Sequence, residues 1–166
     1  MGITGASLYN AFGDKRSLYR RALGYYLEQS VRDRVGRLDL LEPLPAIRAF
    51  FGEIIERSVT DARRRGCLLV NAALEMAPYD ADFRTIVAAE LAFIEAFFCR
   101  SIAAGQVNGT ITTSQPADAL AKLLLSVLLG LRVLARTRPE RAVLEGAVAG
   151  VMGLLTTAPD CGGGTS

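Results

Sequence analysis

Six apolar residues, Phe83, Val87, Leu91, Ile94, Phe98 and Ile102, recur at steps of four, four, three, four and four. That spacing follows a 3.6-residue turn and lays all six along one side of a helix over about residues 81–104. Ile86, Phe93 and Phe97 make a second apolar face on the same segment. A helix apolar on two sides must be covered from two sides. The chain therefore has to wrap other elements around this one, and its Leu- and Ala-rich composition makes those elements helices rather than strands.

The partners can be read along the chain. Gly13-Asp14 makes a turn, and Asp14 caps a helix over about residues 15–34 that Gly36, Pro43 and Pro45 break. A helix over about 46–64 follows and ends at Gly66. Residues 67–77 are almost wholly apolar and read as a short, central, buried helix. Residues 105–114 are polar and turn-rich, a loop or a small hairpin around Asn108-Gly109. Two long helices over about 116–136 and 139–156 close the chain, with Pro139 in the first turn of the second. The fold class is all-α.

The last two helices carry more apolar surface than one small domain can cover. Leu120, Leu123, Leu124, Val127, Leu128, Leu131 and Leu134 form one face of the first, and Leu125 and Leu129 make its other side apolar too. In the second, Ala142, Gly146, Gly150 and Gly153 form a stripe of small residues beside Val143, Ala147, Val151, Leu154 and Leu155. Glycine in a helix costs roughly 1 kcal/mol against alanine, so several in register suggest close approach of another helix. An internal helical hairpin is the plain alternative. A four-helix bundle across a two-fold axis is the better fit, with Leu124, Leu128, Leu131, Gly146, Gly150, Val151 and Leu154 at the homodimer interface.

Several functions are disfavoured. There is no histidine, which removes the commonest general base and metal ligand. Cys67, Cys99 and Cys161 are widely spaced and odd in number, against a disulfide framework or a zinc site. No nucleophile motif is present, so an enzyme, a metal and a cofactor are not expected. No signal peptide is visible, and the longest apolar run, 123–131, is too short to span a bilayer. The protein reads as soluble and cytoplasmic, with no membrane partner. Net charge is only +2, but residues 14–37 hold seven basic and three acidic side chains. That is either a solvated helix face or a weak footprint for an anionic polymer.

The opening stretch GITGASLYNAFGDKRSLYRRAL carries the functional signal. Gly2-Ile3-Thr4 suits a tight turn, and residues 5–12 a short helix with Leu8 and Phe12 as anchors. Hydroxyls on Thr4, Ser7 and Tyr9 suit phosphate or base edges. In order, Leu8, Tyr9, Phe12, Lys15 and Leu18 fill a pattern that resembles the end of the DNA-binding head of TetR/AcrR-type transcriptional regulators. The stretch GCLLVNAALEMAPYDADFR is similar to the start of the ligand domain in one branch of that family. The resemblance implies that Thr4, Ala6, Ser7, Tyr9, Asn10 and Lys15 face operator DNA. It implies a homodimer, usually a repressor, released by a small-molecule effector. It also implies two more head helices, roughly 30 residues, ahead of Gly2, so this 166-residue chain is expected to bind operator DNA weakly or not at all.

The expected division is a partial head and linker helix over 1–36, a ligand-binding and dimerisation domain over 44–158, and a flexible tail over 159–166. Candidate effector-binding residues are Phe50, Ile54, Asn71, Leu74, Glu75, Phe93, Phe97 and Leu128. Each has a plain alternative: the aromatics as core, and Glu75 as half of a surface ion pair. A dimeric helical ligand-binding protein with no DNA role is the alternative function.

Overall fold

Asp14 opens the first described helix as expected: its carboxylate accepts from the Ser17 backbone N–H at 2.7 Å. The computed structural model describes residues 13–156. In that span α1 (Lys15–Leu27) runs through a π-helical turn (Glu28–Arg32) into α2 (Asp33–Leu38). Then come α3 (Pro43–Thr60), α4 (Leu68–Glu75), α5 (Ala81–Val107), α6 (Ala117–Thr137) and α7 (Arg141–Leu155). Among the described residues there is no strand, and the fold is all-α. The expected helix over 5–12 lies outside the described residues.

The expected break at Gly36 does not occur. Leu23, Leu27, Val31, Val35 and Leu38 are all buried, and they form one ridge along α1 and α2. A repeat of four drifts by about 40° per step on an ideal α-helix. The wider π turn takes up that drift and keeps the ridge on the core. Burying five side chains outweighs the cost of one helical glycine, roughly 1 kcal/mol. Arg34 and Arg37 fasten the run to α3 by gripping Glu53, at 2.9 Å from Arg34 Nε and 3.1 Å from Arg37 Nη1.

Two helix starts also differ from expectation. α3 begins at Pro43, because both prolines fall in its first turn, where no N–H is needed. α7 begins at Arg141, so Pro139 precedes it. α4 is shorter and more exposed than expected. Only Leu69 and Ala72 in it are buried, because it lies on the surface of α5 rather than inside the bundle.

The core centres on four rings from α3 and α5. Phe50 and Phe98 meet edge to face at 4.9 Å, Phe50 and Phe97 stack at 5.5 Å, and Phe51 and Phe98 at 5.6 Å. The stripe along α5 is buried as expected except at Leu91, which is half-buried. α6 covers it with Leu120, Leu124 and Leu131, and α7 closes the bundle with Leu144, Met152 and Leu155. The segment after α5 is a loop pinned at its centre. Ile111 is buried against Gly105, and the Gln106 side-chain amide donates to the Thr112 and Gln115 carbonyls, each at 2.8 Å.

Candidate ligand cavity and outer helix face

Where α3 ends, the sequence DARRRG folds back on itself. The Asp61 carboxylate accepts from the Arg65 backbone N–H at 2.8 Å and the Arg63 backbone N–H at 3.3 Å. Burial alone would raise the Asp61 pKa, but these bonds and the Arg65 side chain hold it below its usual value. Arg64 and Gly66 take positive φ, +49° and +74°. Glycine suits the left-handed conformation at Gly66, and a side chain there would also meet the Arg136 side chain, 2.9 Å away at Cδ, and push it aside.

This loop forms one wall of a cavity of about 490 Å³. α1 contributes Tyr26, α3 contributes Arg57 and Ser58, α4 contributes Leu68 and Asn71, and α6 contributes Arg132 and Ala135. Asn71 is braced from both sides: its Oδ1 accepts from Arg136 Nη1 at 3.0 Å, and its Nδ2 donates to the Arg65 carbonyl at 3.4 Å. Tyr26 donates to Cys67 Sγ at 3.5 Å. Burial, then the neighbouring thiol, push the Tyr26 hydroxyl up to about 12. It is a neutral donor across the physiological range.

Tyr26 and Arg132 also border an apolar slot of about 20 Å³, walled by Phe50, Ile54, Leu69 and Leu128 among others. That is room for about one water molecule.

The expected ligand residues therefore separate. Asn71 lines the large cavity, and Phe50, Ile54 and Leu128 line the slot behind it. Phe97 is core. Leu74 is 65% exposed and points away, because the α4 face that packs on α5 is the one carrying Leu69 and Ala72. Glu75 is exposed and acts on Tyr19 rather than on either cavity. Phe93 is half-buried under the Arg32 guanidinium, 5.0 Å from its ring centre. Missed by sequence reasoning were Tyr26, Arg57, Arg64, Arg65 and Arg132. The one available signal was Arg132, the charge that ends the apolar run of α6.

The outer face of α6 and α7 also needs correcting. Leu124, Leu128, Leu131 and Val151 are buried inside the protomer, Leu124 fully, so they cannot meet a second subunit. Water instead meets Leu123, Val133 (50% exposed) and Leu154 (61% exposed). Gly130, Gly146, Gly150 and Gly153 are exposed with them, and nothing lies within 4 Å of where a Cβ would stand on any of the four.

Of the expected DNA-facing residues, Thr4, Ala6, Ser7, Tyr9 and Asn10 lie outside the described residues. Lys15 is exposed at the first turn of α1. Arg16 beside it is bound to the cap of α5, reaching Asp80 at 2.5 Å and Asp82 at 2.6 Å.

An opening sequence that resembles part of a helix-turn-helix, then an all-helical body with a ligand-sized cavity, is the plan of a helical transcriptional regulator. Comparison with known proteins agrees. The family model described as "Tetracyclin repressor-like, C-terminal domain" matches residues 43–151. The uncharacterized HTH-type transcriptional regulator YezE of Bacillus subtilis (strain 168) is 29% identical over 150 residues, covering 87% of this chain and 76% of YezE. A cysteine mutant of the TetR family regulator CifR, solved with a 26-base-pair operator DNA, is 32% identical, with a TM-score of 0.77 over 91% of this chain and 80% of that one. A TetR family regulator from Agrobacterium tumefaciens shares the fold, with 20% identity and a TM-score of 0.83 over 94% of this chain and 82% of that one. The chain belongs to the TetR family of transcriptional regulators and is not an enzyme. Among the described residues no helix is long and apolar enough to cross a membrane.

Proposed function

We propose that this protein acts as a homodimeric repressor that binds operator DNA through the motif at residues 2–15 and lets go when a small molecule enters the cavity. One observation carries the reading. The helical run that starts at Lys15, directly after the DNA-binding motif, supplies Tyr26 to the cavity and Tyr26, Val31 and Arg34 to the slot behind it. A ligand that fills the cavity presses on the helix that carries the head. It shifts the head between two positions by as much as its affinity differs between them. The grip of Arg16 on Asp80 and Asp82 ties the start of that helix to the ligand domain, so the two move together.

Thr4, Ala6, Ser7, Tyr9, Asn10 and Lys15 are assigned to DNA on this reading. The subunit interface is assigned to Leu123, Val133, Gly146, Gly150 and Leu154, the open face of α6 and α7. The test combines light scattering with gel shifts on the intergenic DNA beside the gene, against a scrambled duplex. Joined to the two further head helices that the resemblance implies, the dimer is expected to retard the intergenic DNA selectively, and the 166 residues alone to retard it weakly or not at all. An extended dimer that binds neither duplex would overturn the repressor reading and leave a ligand-binding dimer.

A further inference from the structure

Charge is not balanced in the large cavity. Four guanidinium groups, from Arg57, Arg64, Arg65 and Arg132, line it against one carboxylate, Asp61. Asp61 is already committed to the Arg63 and Arg65 backbone and to the Arg65 side chain at 3.2 Å. Among the described residues no carboxylate lies within ion-pair reach of Arg57, Arg64 or Arg132. Arg57 and Arg132 come from α3 and α6, line the cavity with Tyr26, and both act on its hydroxyl. They also bear on Arg34. Burial is the main reason its charge is disfavoured, and repulsion from Arg132 and Arg57 adds to it. Like charges gathered around a hollow with low-dielectric walls raise the local concentration of counter-ions.

We propose that this cavity selects an organic anion, with its carboxylate or phosphate seated between Arg57 and Arg132 and hydrogen-bonded by Tyr26. The proposal rests on the ligand-responsive reading above and names the chemical class of its effector. Guanidinium forks suit planar carboxylates and phosphates, and Tyr26 stays protonated, so its one hydroxyl hydrogen turns from Cys67 Sγ to the anion. The size of the cavity calls for more than a bare inorganic ion: about 490 Å³ matches a small organic molecule. Its body rests on Leu68, Ala135 and the Tyr26 ring. The slot beyond, at about 20 Å³, is too narrow to receive it.

The test uses two fluorescent dyes with closely similar apolar bodies, anilinonaphthalene sulfonate and uncharged phenylnaphthylamine, titrated into the protein without DNA. The sulfonate dye is expected to bind saturably at one per protomer. The Arg57→Gln/Arg132→Gln double variant, checked for native melting, is expected to weaken it by about tenfold or more while leaving the neutral dye unchanged. A readout free of substitution comes from competition on the unaltered chain. Benzoate or phenyl phosphate displaces the sulfonate dye, and benzamide does not; which of the two anions is stronger separates carboxylate from phosphate. Equal displacement by benzamide, or a double variant that binds the sulfonate dye unchanged, would overturn the proposal. Anion binding that never releases operator DNA would sink the effector reading alone, because the dye measurement contains no DNA.

Discussion

Replacing Gly105 by alanine makes the pinned loop after α5 a quantitative test of the packing. Alanine gains about 1 kcal/mol over glycine in a helix. Here, however, its Cβ would stand 2.5 Å from Ile111 Cδ1, 2.6 Å from Cγ1 and 3.1 Å from Cβ. Ordinary carbon contacts need about 3.5–4.0 Å, so Ile111 would have to retreat by about 1 Å. It is held against retreat. Its own N–H bonds to the Gly105 carbonyl at 3.0 Å, and the next residue, Thr112, donates to the Leu155 carbonyl at the end of α7 at 2.8 Å. Overpacking of this kind costs about 1–3 kcal/mol. After the helix gain, Gly105→Ala should destabilise by about 0–2 kcal/mol, or lower Tm by up to about 8 °C in a chain of this size. Ile111→Ala alone removes buried volume and should cost about 2–5 kcal/mol. The double variant lacks the two closest carbons and keeps the helix gain, so it should be up to about 1 kcal/mol more stable than Ile111→Ala alone. Urea unfolding of the four proteins at one fixed protomer concentration measures the coupling. Additivity within about 0.5 kcal/mol would show that the two residues do not meet as described.

Three further outcomes follow from named contacts. Asp80 is held at about 2, chiefly by the Arg16 guanidinium, so its folded pKa lies below its unfolded one. Its stabilising contribution is therefore present above the unfolded value near 4 and lost as pH falls through about 2. Asp80→Asn, which keeps a capping side chain, should lower Tm at pH 6, and the difference should shrink as pH falls from about 4 and vanish only below about 2; a gap that does not shrink over that range would contradict the pairing. Glu53→Ala leaves the buried Arg34 without its carboxylate and should cost about 2–3 kcal/mol in urea unfolding, against little change for an exposed Glu→Ala such as Glu140→Ala. Val133→Glu, on the open face of α6, should turn the proposed dimer into a monomer by light scattering with its helical circular dichroism intact. Leu124→Ala, on the opposite face, should lower Tm without changing the mass of the folded species.

Those last two residues mark where the sequence stops being informative. The periodicity of α5 alternates with charged and small residues, so its core face can be read directly, and the structure buries Phe83, Val87, Ile94, Phe98 and Ile102 as that reading requires. α6 offers no such contrast. From Leu123 to Leu131 every face carries leucine or valine except at Ser126 and Gly130, so hydrophobicity says that two surfaces are covered but not which one faces inward. The phase is set by the loop that Gln106 and Ile111 hold at the start of α6 and by the rings of Phe50, Phe97 and Phe98 that it packs over. The loop adjoins α6 in the chain, but the rings lie far from it in sequence. The cavity was hidden for a related reason. In the chain, Arg57, the run from Arg63 to Arg65, and Arg132 look like solvated surface charge, and each of them alone would be. Only the turn-back at Asp61, with Arg64 and Gly66 in left-handed conformations, brings the loop under α6 and turns scattered charges into one basic wall. Phe50, Ile54 and Leu128 were legible as buried residues, because burial follows from single positions in a periodic helix, but they wall only the slot, and of the expected residues Asn71 alone lines the large cavity. The guanidinium groups that set its charge were not legible, because a binding site is a property of elements brought together.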